Sequence, residues 1–178
     1  MNEYDKLLIG EVFDSRIFDY KDNIFEICKS SHHKKIILSL LEEIKEWIQT
    51  CEFSFTSYKD NESISKITDI SETITKMNDI MIKLLILDSS KYIGNFKKEV
   101  EFWMEKLKIT ESVISEWLKA QSLWLTLENI IETNKEQMKE EAREFAKIGQ
   151  YLLKMSTMAK ETKNVVTFCY ENDGVQLF

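Results

Sequence analysis

The stretch WLKAQSLWLTLENII, from Trp117 to Ile131, holds two of the four tryptophans in this chain of 178 residues. Trp117 and Trp124 are seven residues apart, an interval that drifts by only about 20° around a straight helix. Their side chains therefore share one face, and we predict that both are largely buried. Gln121 lies between them and needs hydrogen-bond partners if it is buried, because an unpaired buried amide costs about 1–3 kcal/mol.

The same periodicity continues far upstream of this stretch. Positions recur at alternating steps of four and three residues, close to the repeat of coiled coils. They are Phe96, Val100, Trp103, Leu107, Thr110, Ile114, Trp117, Gln121, Trp124 and Glu128. We therefore predict one unbroken helix over residues 95–132, about 55 Å long at 1.5 Å per residue. Trp103 should lie on the same side as Trp117 and Trp124.

Apolar residues at helical steps predict three further helices, over residues 22–51, 69–88 and 134–160. Two of their starts are placed by the capping-box spacing, which pairs a cap residue with a glutamate three positions later. The pair Asp69 and Glu72 begins the helix over 69–88, and the pair Thr133 and Glu136 begins the helix over 134–160.

Residues 53–66 differ from the helical segments. Phe53 and Phe55 alternate with polar residues, and a turn-like KDNE follows, a pattern typical of a β-hairpin. We predict strands near 53–58 and 63–66, lying on the helices because two strands alone are marginally stable.

The predicted fold is mainly α: an elongated antiparallel helical bundle with long helices and one small β-hairpin. It forms a single helical unit over residues 1–178. Residues 1–21 are a poorly defined start, and residues 161–178 are predicted to be irregular or an element cut short.

Composition excludes several classes of protein. The net charge is −7, whereas nucleic-acid binding needs a basic surface that displaces counterions. The most apolar run, IMIKLLIL over 80–87, is too short to cross a bilayer. The first residues lack the basic start of a signal peptide. We therefore expect neither nucleic-acid nor membrane partners.

No catalytic, cofactor-binding or metal-binding residues are predicted. The four glycines are too isolated to form a phosphate loop, and the Glu-x-x-His pattern of carboxylate metal sites is absent from the sequence. Adjacent histidines at 32 and 33 point about 100° apart on a helix and cannot share a ligand face. Cys28, Cys51 and Cys169 are expected to be reduced thiols.

The central stretch resembles the linker region of dynein heavy chains. The signature of that region is a Trp, three residues, a Gln, two residues and a Trp, followed by Leu-Glu and an apolar step. The corresponding residues here are Trp117, Gln121, Trp124, Leu127, Glu128, Ile130 and Ile131. Upstream, Trp103 matches another landmark of the region, and FSFTSYKD resembles its small hairpin.

The likeness covers about residues 24–166, with three local departures. The Leu-Pro of the family is Met138-Lys139 here, its Tyr before Leu-Glu is Thr126, and its Phe is Ile131. Because the chains of that family are several thousand residues long, the resemblance implies that this chain is a fragment.

The resemblance implies a mechanical role without enzymatic activity of its own. In dyneins the linker is a helical arm across a ring of AAA+ modules, which binds ATP and magnesium and drives movement along microtubules. The implied partners are this ring and the remaining linker, with microtubules reached indirectly. The implied location is the cytoplasm and cytoskeleton, including the ciliary axoneme. Two alternatives stay open: a helical scaffold or coiled-coil adaptor, and a helical enzyme with a carboxylate metal site.

Overall fold

The structure is a computed structural model that describes residues 9–58 and 61–171. Long helices dominate the described residues, together with one two-stranded antiparallel hairpin, which confirms the predicted fold class. In chain order the helices and strands are α1 (Ile9–Asp14), α2 (Lys21–Thr50), β1 (Ser54–Tyr58), β2 (Asn61–Thr68), α3 (Ser71–Asp88), α4 (Lys97–Thr133), α5 (Lys139–Thr162) and α6 (Val165–Glu171). Short 3₁₀ turns precede α2 and α4.

Helix α4 is the axis of the fold. It runs without a break for 37 residues, which confirms the single long helix that the tryptophan spacing predicted. Helices α3, α5 and α6 all pack against it. Its buried positions are Val100, Leu107, Thr110, Val113, Ile114, Trp117, Trp124, Glu128 and Ile131. Burial along almost the whole length explains how so long a helix is stabilised, since tertiary packing supplies most helical stability.

Helix α2 contributes Ile37, Leu41 and Ile44 to the same core. Its exposed side is tied to α3 through Glu43, whose carboxylate lies 3.0 Å from Lys76 Nζ and 3.2 Å from Lys83 Nζ. These lysines lower the pKa of Glu43 through their hydrogen bonds. Because the pairs are half-exposed, solvent screening leaves them a small share of the stability.

Both predicted capping boxes are wrong. Asp69 has a φ of 53°, in the left-handed region, and α3 begins after Ile70 without a side-chain cap. Thr133 is the last residue of α4, and its hydroxyl donates to the Asn129 carbonyl oxygen at 2.7 Å inside that helix. The next helix begins at Lys139, five residues after the predicted start at 134. A turn over 134–138 separates the two helices.

The segment predicted to be irregular or an element cut short is helical over most of its described residues. Helix α6 occupies Val165–Glu171, and Val165, Phe168 and Cys169 are fully buried. Asn164 caps the helix, because its Oδ1 accepts a hydrogen bond from the Thr167 amide at 2.9 Å. Residues 1–8, 59–60 and 172–178 lie outside the described residues, so the expectations for them are not tested. Within the predicted poorly defined start, α1 and a 3₁₀ turn are formed.

Candidate functional site: the tryptophan face of the long helix

Trp117 lies where the hairpin, α4 and α6 meet. Its side chain is 1% exposed, which confirms the predicted burial. Phe53 from the segment before β1, Phe55 from β1 and Phe168 from α6 surround it, with ring centroids 5.7, 6.3 and 5.6 Å away. These separations are typical of favourable aromatic pairs. Trp117 therefore joins three elements that are distant in sequence.

Trp124 packs one helical repeat further along α4 and is 8% exposed, so its predicted burial is confirmed as well. Its ring stacks on Phe145 of α5 with centroids 5.1 Å apart and planes 5° apart. Tyr58 meets its other side edge-on at 6.2 Å. A Cβ at Gly149 would lie only 3.2 Å from the indole Nε1, so a glycine lets α5 approach the ring closely. That Nε1 has no hydrogen-bond acceptor among the described residues.

Gln121 joins α4 to the backbone of β2. Its Oε1 accepts a hydrogen bond from the Ile67 amide at 2.8 Å, and its Nε2 donates to the Ile67 carbonyl oxygen at 3.3 Å. The predicted partners of this half-buried amide are therefore present. A single side chain satisfies both backbone groups of one strand residue, which links the hairpin to the helix at a defined register.

Glu128 is the buried acid of this face and is 7% exposed. Tyr58 donates its hydroxyl hydrogen to Glu128 Oε2 at 2.8 Å. A carboxylate this deeply buried needs such donors, because desolvation without compensation is costly. The contact holds the tip-side end of β1 against the C-terminal half of α4.

Four of the six residues singled out from the sequence meet along one face: Trp117, Gln121, Trp124 and Glu128. Leu127 points away and is 43% exposed. Trp103 lies on the same helix at the far end of the face, half-buried beside Phe102 at 5.2 Å between ring centroids. The structure therefore brings together the residues of the motif that are spaced by four and three.

The sequence analysis missed the partners of this face. Phe145 and Phe168 supply two of the five aromatic contacts of Trp117 and Trp124, and Gly149 permits the close helix approach. Of these, Gly149 could have been recognised from the sequence. A glycine inside a helix costs about 1 kcal/mol relative to alanine, so its presence indicates a packing reason. The approach of α6 to this face depends on contacts that are far apart in sequence.

The chemistry available at the site is packing and hydrogen bonding. Burial raises the pKa of the Cys51 thiol to about 11 and that of Cys169 to about 12, so both thiols stay protonated at neutral pH. Within the described residues, no cluster of three or more histidine, cysteine, aspartate or glutamate side chains is placed to hold a metal ion. Over the same part of the chain, no helix has the length and apolar character needed to span a membrane.

Comparison with known proteins places this arrangement in a family. The family model described as dynein heavy chain, N-terminal region 2, matches residues 1–177. Human dynein axonemal heavy chain 8 is 31% identical over 170 residues, which are 94% of this chain and 4% of that protein. The flagellar outer-arm dynein gamma chain of Chlamydomonas reinhardtii is 26% identical over 172 residues, 95% of this chain and 4% of the relative.

Rat dynein axonemal heavy chain 5 is a third relative, 30% identical over 172 residues and matched over 5% of its own length. The chain thus spans about one twentieth or less of the proteins it resembles. With a family model matched over nearly every residue, and with the tryptophan face and hairpin in place, the chain belongs to the dynein heavy chain family and corresponds to its N-terminal region 2.

Proposed function

We propose that this chain is a segment of the mechanical linker of a dynein heavy chain. In this role it is part of a lever that bends and straightens as a ring of AAA+ modules binds and hydrolyses ATP, and the parent protein moves towards microtubule minus ends. The observation that carries the proposal is the family match over residues 1–177, together with a long helix packed along its length. ATP and magnesium would be bound by the ring, outside this chain.

The length and packing of α4 support this role. A helix of 37 residues is about 55 Å long, and it transmits bending force only if its neighbours prevent it from kinking. Helices α3, α5 and α6 and the hairpin all contact it. Close-packed interiors of this kind have low compressibility.

The hairpin separates this proposal from the rival adaptor hypothesis. A helical scaffold or coiled-coil adaptor has no need of a hairpin, whereas the likeness to the linker requires one. The observed hairpin lies on the tryptophan face of α4 and is bonded to it through Gln121. This contact favours the linker role.

The names of the relatives suggest where the parent motor works. They are described as axonemal, flagellar or ciliary. We therefore place the parent protein in the cytoskeleton of cilia or flagella, with its own ring and the remaining linker as direct partners and with microtubules as its track.

A proline in α4 tests the proposal in a recombinant heavy chain that contains this segment. Ala120→Pro removes a backbone hydrogen bond in the helix interior and kinks the helix, at a cost of about 3 kcal/mol or more. We expect microtubule gliding to slow several-fold while ATP hydrolysis by the ring continues. Lys139→Pro is the matched control, because it places proline at the first position of α5, where it is tolerated.

Equal gliding velocities for the two proline variants would show that α4 carries no mechanical load. That result would favour the scaffold interpretation.

A further inference from the structure

Helix α3 carries the most apolar run of the sequence, IMIKLLIL over 80–87, and the core covers one side of it. The buried members of the run are Ile80, Leu84 and Leu87. Its exposed members are Ile82, Leu85 and Ile86. A helix that is apolar on all sides is normally buried on all sides. The outer side of α3 therefore has the composition of an interface.

The single charged residue of this run, Lys83, is drawn towards α2. Its Nζ lies 3.2 Å from Glu43 Oε1, and Lys76 Nζ lies 3.0 Å from the same oxygen. Two lysines thus share one carboxylate, which leaves a surplus of one positive charge between α2 and α3. The contact also sets the spacing of the two helices along this side.

An open, mainly apolar groove of about 610 Å³ lies between α2 and α3. Its apolar walls are formed by Ile36 and Leu40 of α2 and by Ile86 and Leu87 of α3. We call it the α2–α3 groove. A channel between two packed helices, with apolar side chains about one turn apart on its walls, suits the apolar face of a third helix.

The rim of the α2–α3 groove is basic although the chain as a whole is acidic. His32 and Lys35 from α2 and Lys83 from α3 lie on the rim, together with Glu43, whose charge is already shared by two lysines. The net charge of the chain is −7. Charge complementarity therefore favours an occupant with carboxylates beside its apolar face, and it disfavours a second copy of this chain.

We propose that the α2–α3 groove binds an amphipathic helix of a partner protein, apolar on the face that enters the groove and acidic on both flanks. Burial of Ile36, Leu40 and Ile86 supplies the affinity. The flanking carboxylates meet Lys35 and Lys83 and determine the orientation of the helix. The proposal concerns the chain itself and does not rest on the motor role.

Two synthetic helical peptides of equal length test the groove in the 178-residue chain. Both have leucine at positions i, i+3, i+4 and i+7, and the positions that flank this face are glutamate in one peptide and lysine in the other. NMR follows the methyl signals of the chain during each titration. We expect the glutamate peptide to shift the methyl signals of Ile36, Leu40 and Ile86 and to bind about tenfold more tightly than the lysine peptide at low salt. The difference should shrink as salt is added.

Two variants of equal exposure locate the site. Ile86→Glu places a carboxylate in the apolar wall and should weaken binding of the glutamate peptide about tenfold or more. Leu123→Glu is the matched control, because Leu123 is exposed to the same extent as Ile86, 64%, and lies on α4 outside the groove. It should keep the wild-type affinity. Lys35→Ala should weaken the glutamate peptide about two- to threefold and leave the lysine peptide no weaker.

Several results would overturn the proposal. Equal affinities of the two peptides, or an unchanged affinity in Lys35→Ala, would remove the role of the basic rim. An equal loss in Ile86→Glu and Leu123→Glu would mean that the peptide binds any exposed apolar surface, and failure of the glutamate peptide to bind would refute the groove directly. A dimer seen by sedimentation velocity in the wild type and lost in Ile86→Glu would assign the groove to a second copy.

Discussion

Replacement of Trp117 by alanine tests whether the tryptophan face stabilises the fold. The side chain is 1% exposed and touches aromatic rings from the hairpin and from α6 at centroid distances of 5.6–6.3 Å. Truncating a buried tryptophan to alanine removes its transfer energy and leaves a cavity, at a cost of about 3–5 kcal/mol. Each aromatic pair adds about 0.5–1.5 kcal/mol beyond area burial. We therefore expect a value towards the upper end of the first range.

Thermal melting followed by circular dichroism measures this loss. For a chain of this size, 1 kcal/mol shifts the midpoint by about 2–4 °C, so Trp117→Ala should melt about 6–20 °C below wild type. Leu127→Ala is the control: it lies ten residues further along the same helix and belongs to the same motif, but its side chain is 43% exposed. The control should shift the midpoint by a few degrees at most. Similar melting of both variants would refute the burial argument. It would indicate that the Trp117 side chain serves a partner surface and does not stabilise the core.

Three further outcomes are expected. Gly149→Ala should lower the melting midpoint although alanine favours helices, because its Cβ would lie 3.2 Å from the indole Nε1 of Trp124, which is fixed by a stacked ring; a higher midpoint would contradict this. Asn164→Ala should cost about 1 kcal/mol or more in chemical denaturation, because it removes the N-cap bond to the Thr167 amide together with the side-chain bond to the Ile48 carbonyl oxygen; an unchanged free energy of unfolding would exclude both contributions. The free energy of unfolding should fall as pH rises from 9 towards 11–12, since burial raises the pKa of Cys51 and Cys169 above the ordinary 9.0 and the unfolded chain ionises first. That fall should be smaller when both cysteines are replaced by alanine, and an equal fall would assign it to other groups.

The spacing of the apolar and aromatic residues in the sequence was sufficient to predict α4. Steps of four and three residues from Phe96 to Glu128 depend only on helical geometry, and the helix continues as that geometry requires. The hairpin was predicted for a similar reason, since Phe53 and Phe55 alternate with polar residues. Their rings lie 5.7 Å apart on the same side and both contact Trp117.

The helix starts were predicted less well because several structures compete for the same residues. Asp69 follows β2, which extends to Thr68, and the chain must turn sharply there before α3. Its backbone adopts a φ of 53° and is unavailable as a cap. Thr133 bonds back to the preceding turn of α4, an option that Ser and Thr always have inside a helix.

Helix α6 could not be predicted because its stability comes from distant partners. Phe168 packs against Phe53 and Trp117, more than fifty residues away in sequence. A segment of seven helical residues is too short to be stable alone in water. Its cap, Asn164, is a recognisable signal, but the β-branched residues that follow it also suit a strand.

The joint between the end of α2 and the start of α6 determines how tension would travel through this unit. The Val165 amide donates to the Cys51 carbonyl oxygen at 2.9 Å, the Phe53 amide donates to Lys163 at 3.0 Å, and the Asn164 side chain donates to the Ile48 carbonyl oxygen. A pull between α2 and α6 is carried first by these bonds. Residues 53–163, including the hairpin and α4, lie within the loop that these bonds close, so a pull between α2 and α6 reaches α4 mainly through the side chains of α6 that pack against it.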